Sequence, residues 1–489
     1  MRFKIFDCPG YIVVRYCFAL NPAQVEAFFS VDLDRLPCHN VVIGYTNNIS
    51  DSSSQQRRLP MNNDYRFETL CLHAGRVPDP ATNARAVPIH RTSSYVFNST
   101  EHAANLFSLK EPGNIYTRIM NPTQDQLENS LAALEGGAAA LALSSGTSAI
   151  YYAIINICAS GDEIVSANNL YGGTYTMFDA ILPQFGIHTR FVDPRNPRNF
   201  EPAINERTRA IFIETIGNPA LDFTDIEAVA AIARRHKLPL IVDATFTTPY
   251  LFRSIEHGAD IVVNSLTKWI GGHGTGIGGV VVDAGKFNWQ DPKFHLYNEP
   301  DAGYHDLRFA HDLGDLNPVA FIMRMRLVPL RNLGACISPD NAWLFLQGLE
   351  TLPLRMERHS ENAMQVAKYL KGHPNVTWVR YPGLEDDPTH ATAQKYLRNG
   401  FGGMVVFGIK GGFAAGHNFV DNLKLFSHLA NVGDAKSLVL HPSSTTHSQL
   451  SEEDQKAGGL TPDFIRLSIG IEHIDDIIAD LEQAFSKVI

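Results

Sequence analysis

From about residue 138 the chain alternates two hydrophobic rhythms. Seven short apolar runs recur: AAALAL (138–143), EIVSA (163–167), HTRFVD (188–193), RAIFIE (209–214), LPLIVD (238–243), DIVVNS (260–265) and GVVVD (279–283). They are enriched in β-branched residues, and their apolar character is continuous rather than alternating, which marks strands covered on both faces. Between two of them, TDIEAVAAIARRH sets Ile226, Val229, Ala230 and Ala233 on one helical face, and Thr224 with Glu227 reads as a capping box. The alternation predicts an α/β fold: a mostly parallel seven-stranded sheet with helices on both faces.

After about residue 330 the rhythm changes. DNAWLFLQGLETLPLRMERHSENAMQVAKYLKG reads as a long helical stretch broken or kinked at Pro353. GGMVVFGI, LVLHPSS and FIRLSIG follow as strands, and an amphipathic helix from about Asp475 closes the chain. A second, smaller α+β domain is expected over 331–489. The first 63 residues are unlike the rest; NNISDSSSQQRRLPMNND is polar and rich in breakers, as linkers and disordered segments are. The expected organisation is an extension over 1–63, an arm over 64–115 that contributes to subunit contacts, a large domain over 116–330 and the small domain.

Composition narrows the class. An apolar fraction of 44% suits a large core, and 41 basic against 51 acidic residues give a net charge of −10. That balance argues against nucleic-acid or membrane-surface partners. Six cysteines, Cys8, Cys17, Cys38, Cys71, Cys158 and Cys336, form no C-x-x-C and no zinc spacing, so no metal is expected and a reducing, cytoplasmic setting is the simplest reading. YIVVRYCFAL is too short to span a membrane and is interrupted by Arg15. A mitochondrial presequence is a weaker reading, since Asp7 and Glu26 break the acid-poor pattern.

The chemistry centres on NSLTKWIGGHGTGIGG (264–279). Gly274, Gly276 and Gly279 fit a dinucleotide signature, but a strand, VVVD, follows them where that motif needs a helix. A phosphate-binding loop of the Walker type places its lysine after the glycines, whereas Lys268 precedes them. Lys268 instead lies past the carboxyl end of a buried strand, where α/β folds bind ligands, between the hydroxyls of Ser265 and Thr267. Alone it reads either as a Schiff-base nucleophile in a dry pocket or as a solvated lysine. Asp243 ends the preceding strand and could face a pyridinium nitrogen or cap a turn. Ser144-Ser145-Gly146-Thr147 links a strand to a helix, as a phosphate cradle or a simple cap. Tyr171 in NNLYGGTY could stack on a flat ring or sit half-buried in a loop.

In this order these segments resemble the Cys/Met-metabolism family of pyridoxal-phosphate enzymes, of fold type I, from about Phe67 to the C-terminus. The resemblance implies pyridoxal 5′-phosphate as cofactor, with Lys268 as Schiff-base lysine and proton shuttle. It implies that Asp243 pairs the ring nitrogen, that Tyr171 stacks on the ring, and that Ser145, Gly146, Thr147, Ser265 and Thr267 hold the phosphate. NIYTRIMNPT is similar to the segment that reaches a neighbouring subunit's site, so Tyr116 and Arg118 would complete a neighbour's phosphate site in a homotetramer. ETIGNP resembles the family's E-x-x-x-N-P, with Asn218 near cofactor and substrate. Arg466 of FIRLSIGIE would clamp the substrate carboxylate, assisted by Ser437 of GDAKSLVLHPSSTTH. Lys436, His441 and His447 are read as neighbours only.

Within the family, Gly173 stands where methionine γ-lyases typically carry cysteine, and Lys436 where cystathionine-processing members have an acid. The insertion from Phe287 to Pro339 and the segment after it look like the O-acetylhomoserine sulfhydrylase branch. That branch implies small-molecule substrates, O-acetyl-L-homoserine and sulfide, giving L-homocysteine and acetate. The alternatives are a cystathionine γ-synthase or γ-lyase, a methionine γ-lyase, or a member with little catalysis acting as a partner protein. His90, Arg91 and Asp340 depart from the family pattern, which expects Tyr, Gln and an aromatic there.

Overall fold

Seven strands form one sheet: β3 (Ala139–Leu143), β4 (Glu163–Ala167), β5 (His188–Val192), β6 (Thr208–Glu214), β7 (Leu240–Asp243), β8 (Ile261–Ser265) and β9 (Gly279–Asp283), after a separate N-terminal pair, β1 (Ile5–Cys8) and β2 (Tyr11–Val14). The computed structural model describes residues 65–445 and 461–488, and of the extension the backbone of β1 and β2, which pair antiparallel. The polar run 47–64, Cys17, Cys38 and His447 lie outside the described residues. The extension, Met1–Arg58, is a unit separate from Leu59–Ile489.

The sheet order is β3-β9-β8-β7-β6-β4-β5. β9 is antiparallel to both its neighbours; the other pairings are parallel. Every residue of β4 and β9 is buried, whereas β5, at the edge, is half-exposed. This is the covering that the continuous apolar runs require. The parallel strands place their carboxyl ends, including Glu214, Asp243 and Ser265, along one edge of the sheet, the ligand-binding edge of such folds.

The helix Ile226–Arg235 starts one residue later than the capping-box reading requires. Asp225 is the N-cap, its carboxylate accepting the Ala228 N–H. The Thr224 hydroxyl instead donates to the Glu214 carbonyl at 3.0 Å. Glu227 turns outward to Lys395 and His257. An Asp directly before the helix outcompetes Thr for the same amide because its carboxylate is the stronger acceptor.

The long helical stretch is two helices, Pro339–Glu350 and Leu352–Gly372, broken at Thr351. Pro353 lies in the first turn of the second helix, where its missing N–H costs nothing. The five-stranded sheet that follows comprises β10 (Val376–Arg380), β11 (Met404–Ile409), β12 (Ser427–His428), β13 (Leu438–Leu440) and β14 (Phe464–Ser468), in the order β10-β11-β14-β13-β12. It has its own core, in which Val366, Phe407, Phe419, Leu481 and Phe485 meet. The insertion after β9 is no open loop. Trp289 stacks on Tyr297 and Phe321, and the Tyr297 hydroxyl accepts from Asn156, so the segment packs into the main core.

Among the described residues no helix is long and apolar enough to cross a membrane, and no group of three His, Cys, Asp or Glu side chains is set to hold a metal ion. Cys71, Cys158 and Cys336 are free thiols.

Candidate active site

The carboxyl edge of the large sheet opens into a cavity of about 260 Å³. Its walls come from two directions. The turns after β3 and β8 bring Ser145 and Lys268, the end of β7 brings Asp243, and the small domain brings Asn431 from a coil and Arg466 from β14.

Lys268 follows β8. Its Nζ donates to the Asn431 Oδ1 at 2.5 Å. Burial, helped by the charge of Arg466, lowers its pKa to about 8. A buried amine near neutrality is what Schiff-base chemistry with a carbonyl requires. Asn431 has no local signature in the sequence. It lies in the coil between β12 and β13 and arrives because that segment docks on the turn around Lys268. Ala435 donates its N–H to the Gly272 carbonyl at 2.8 Å. At Gly433, with φ +77°, a Cβ would stand 2.6 Å from the Trp269 nitrogen. Only glycine allows that approach.

Asp243 ends β7. One oxygen accepts the Thr245 N–H at 2.9 Å, and burial raises its pKa. Its register partner on β6 is Glu214. Glu214 is buried too, and its Oε1 accepts the Tyr171 N–H at 2.7 Å. Burial, then the proximity of Asp243, pushes Glu214 well above the usual carboxylate range. Two adjacent carboxyl groups in one dry wall do not both ionise readily, and the one with the greater shift holds its proton longer. Asp243 is therefore the carboxylate available to a cation in this cavity. Nothing in ETIGNP itself marks Glu214 as a neighbour of Asp243; the pairing of β6 with β7 brings them side by side.

Tyr171 lines the cavity with its ring 53% exposed, at the start of the short helix Gly172–Thr176. The ring leans over Gly173, where a Cβ would lie 2.6 Å from Tyr171 Cε1. This supplies a physical reason for glycine at that position: any side chain there displaces the ring.

Ser145, Gly146 and Thr147 open the helix Gly146–Ile155 at the cavity. The Ser145 hydroxyl caps it by accepting the Ser148 N–H at 3.0 Å. The amides of Gly146 and Thr147 have no intrahelical acceptor and carry the positive end of the helix dipole. A Cβ at Gly146 would stand 2.6 Å from that of Ser265, so this turn and the end of β8 are in close contact. Ser265 and Thr267 line the same end, although the Thr267 hydroxyl is bonded to both the N–H and the carbonyl of Gly278, at 3.1 and 3.3 Å. Asn218 lines the cavity and is buried.

Arg466, on β14, points its guanidinium at the cavity from the small sheet, with no hydrogen bond or ion pair among the described residues. Burial lowers its pKa to about 10, which leaves it charged at neutral pH. A half-buried, unmatched guanidinium is a strong site for a carboxylate. Ser437 does not join it. Its hydroxyl donates to Glu472 Oε2 at 2.9 Å and accepts the Gly470 N–H at 2.9 Å, so it fixes the turn after β14 outside the cavity lining.

Tyr116 and Arg118 are also outside this chain's cavity. The Arg118 guanidinium lies 5.2 Å from the Tyr116 ring, and Tyr116 is 41% exposed. Their strand-like segment is stitched to residues 92–95 through Thr117 N–H to Ser93 O and Tyr95 N–H to Ile115 O. Two departures from the family pattern meet each other nearby: Arg91 Nε donates to Asp340 Oδ1 at 2.8 Å. The next residue, Asn341, holds the carbonyl of Ile277, a cavity-lining residue, at 3.0 Å.

The donor set fits pyridoxal phosphate. A lysine near neutrality, a carboxylate for a pyridinium, an exposed aromatic face and a helix N-terminus flanked by hydroxyls surround one hollow.

Comparison with known proteins gives the same direction. Residues 68–486 match the family described as Cys/Met metabolism PLP-dependent enzyme. The chain is 54% identical over 434 residues to the O-acetyl-L-homoserine sulfhydrylase of Leptospira meyeri, covering 88% of this chain and 98% of that one. It is 50% identical to the homocysteine/cysteine synthase of Saccharomyces cerevisiae, covering 86% and 98%. Among solved structures it is similar, at a TM-score of 0.83 and 41% identity over 86% of this chain and 100% of the other, to a Campylobacter jejuni protein described as an O-acetylhomoserine (thiol)-lyase. That structure carries N′-pyridoxyl-lysine-5′-monophosphate.

Proposed function

The chain belongs to the Cys/Met metabolism family of PLP-dependent enzymes, and from that premise we propose that it is an O-acetyl-L-homoserine sulfhydrylase. Sulfide replaces acetate at Cγ of O-acetyl-L-homoserine: the Cγ–O bond breaks, a Cγ–S bond forms, and the products are L-homocysteine and acetate. The observation that carries the reading is that Lys268, near neutrality, and an unmatched, half-buried guanidinium, Arg466, line one cavity. The names of the relatives, at 50–54% identity over nearly their whole length, support the same reaction.

Each side chain then has a task. Pyridoxal phosphate, when bound, supplies an electron sink that acidifies the hydrogen on the substrate Cα. Asp243 holds the ring nitrogen protonated, and Tyr171 covers the ring. The amides of Gly146 and Thr147 and the hydroxyls of Ser145, Ser265 and Thr267 hold the phosphate. Arg466 fixes the substrate carboxylate, which orients Cα toward Lys268. Lys268 takes the proton from Cα and returns it. Asn431 holds the Lys268 amine by its carbonyl oxygen, leaving the nitrogen lone pair available. Asn218 stands beside cofactor and substrate. Ser437 supports Arg466 from behind, through the turn it fixes with Glu472.

Tyr116 and Arg118 serve the phosphate site of a second copy of the chain, in a homotetramer whose sites are shared between subunits. The working compartment is the cytoplasm. Offering the holoenzyme O-acetyl-L-homoserine with sulfide and L-cysteine together tests the reaction. Homocysteine is the expected product; cystathionine as the main product would assign the chain to the cystathionine-forming branch instead.

A further inference from the structure

A second cavity, of about 430 Å³, lies at the opposite end of β8 from Lys268. It opens where β8 begins and β9 ends, against the last turn of the helix Ile226–Arg235. Small residues create the space: Ala230, Gly258, Ala259 and Ala284 line it. Gly258 has φ +100°, and a Cβ there would lie 2.8 Å from the Ala230 Cβ and 3.4 Å from an Arg234 Nη2. The hollow and the position of the Arg234 guanidinium both depend on glycine at 258.

The charges around it are not matched to one another. Lys237 pairs with Asp291 at 3.3 Å. Arg234 and Lys286 also line the cavity and have no hydrogen bond or ion pair among the described residues. On the other side, Asp260 accepts the Leu240 N–H at 2.9 Å through Oδ2, and no described cation stands within ion-pair distance of it. Burial pushes its pKa up to about 6, with the Leu240 N–H and then Arg234 drawing it back only in part. Asp260 is therefore mostly ionised at neutral pH while half-buried, a state that a cationic partner favours. Cations in the last turn of a helix also complement its dipole. The dipole accounts for the sign of Arg234 but not for the hollow, for Lys286 or for an unmatched carboxylate facing it.

We propose that this cavity binds a small zwitterion of the α-amino acid class, with its carboxylate held by Arg234 and Lys286 and its ammonium by Asp260. The site is separate from the catalytic cavity and does not depend on which reaction that cavity performs.

Titrating the holoenzyme with L-norleucine, which has no leaving group, tests this. Calorimetry counts every equivalent bound, while the visible absorption of the cofactor reports the catalytic cavity alone. Two equivalents per chain are expected, one of them spectrally silent. Arg234→Ala combined with Lys286→Ala weakens the silent equivalent by at least about tenfold and leaves the spectral titration unchanged. Ala284→Leu, which fills the hollow without altering a charge, does the same. Hexanoate and n-pentylamine, which keep the chain of norleucine with one charged group each, bind the silent site at least about tenfold more weakly than the amino acid. Absence of a spectrally silent equivalent in the unmodified holoenzyme overturns the proposal. So does a silent equivalent that survives the double substitution, or hexanoate binding as tightly as norleucine, which would make this a site for anions.

Discussion

Lys268 Nζ and Asn431 Oδ1 lie 2.5 Å apart, and this bond joins the end of the large sheet to the coil of the small one. An amide oxygen accepts a hydrogen bond from the amine but brings no net charge beside it. Burial, and then the charge of Arg466, lower the Lys268 pKa to about 8, so the amine is mostly neutral above that pH.

In the apoprotein, acylation of Lys268, followed by mass spectrometry across pH, should rise with a midpoint near 8. Asn431→Asp places a carboxylate against the amine and should raise that midpoint by about 1–3 units. Asn431→Ala should leave it depressed, because burial is the larger cause. A midpoint in the starting protein equal to that of an exposed lysine would contradict the burial argument.

Gly173→Ala puts a methyl 2.6 Å from Tyr171 Cε1 and so must move the ring. Cofactor affinity, read from the visible band during dialysis, should fall by about tenfold, the cost of losing an aromatic contact of about 1–1.5 kcal/mol. Unchanged affinity would mean that the ring is not a cofactor contact.

Asp243→Asn keeps shape and hydrogen bonding but removes the charge. The cofactor should still bind, while kcat falls by at least about 100-fold, the scale of losing one aligned electrostatic partner. Equal kcat in the two proteins would show that Asp243 is a structural carboxylate only.

Shared sites make a different kind of prediction. Lys268→Ala and Arg118→Ala homo-oligomers should each be nearly inactive. Mixing them under subunit exchange should restore part of the activity, because some hybrid sites combine an intact Lys268 with an intact Arg118 from the other chain. If no activity returns although hybrids form, Arg118 acts within its own chain.

Much of this architecture is legible in the sequence because burial on both faces writes itself as continuous apolar runs. EIVSA and GVVVD coincide with β4 and β9, and LPLIVD loses only its first two residues, Leu238 and Pro239, from β7. β10 is harder to see: VTWVR is half-exposed, and its mixed pattern gives no clear period. β12, two residues long, leaves no pattern at all. The capping box failed because two acceptors compete for one helix start, and the choice between Thr224 and Asp225 is made by geometry.

At the site, local motifs disclose what one turn supplies. They do not disclose what another element delivers. Asn431 reaches Lys268 across 163 positions, carried by a docked coil rather than by a motif. Ser437 shows the converse. Its segment resembles a substrate-assisting motif, but Glu472 takes its hydroxyl, a partner visible only once β13 and β14 are adjacent. Arg91 and Asp340, each irregular on its own, become intelligible as a pair.

The most direct test of the central claim is the stoichiometry of the reaction and its dependence on one residue. With O-acetyl-L-homoserine and sulfide, the holoenzyme should release acetate and L-homocysteine in equal amounts, and Lys268→Ala should abolish both. Acetate released with 2-oxobutanoate in place of homocysteine, or product formation undiminished in Lys268→Ala, would contradict the account.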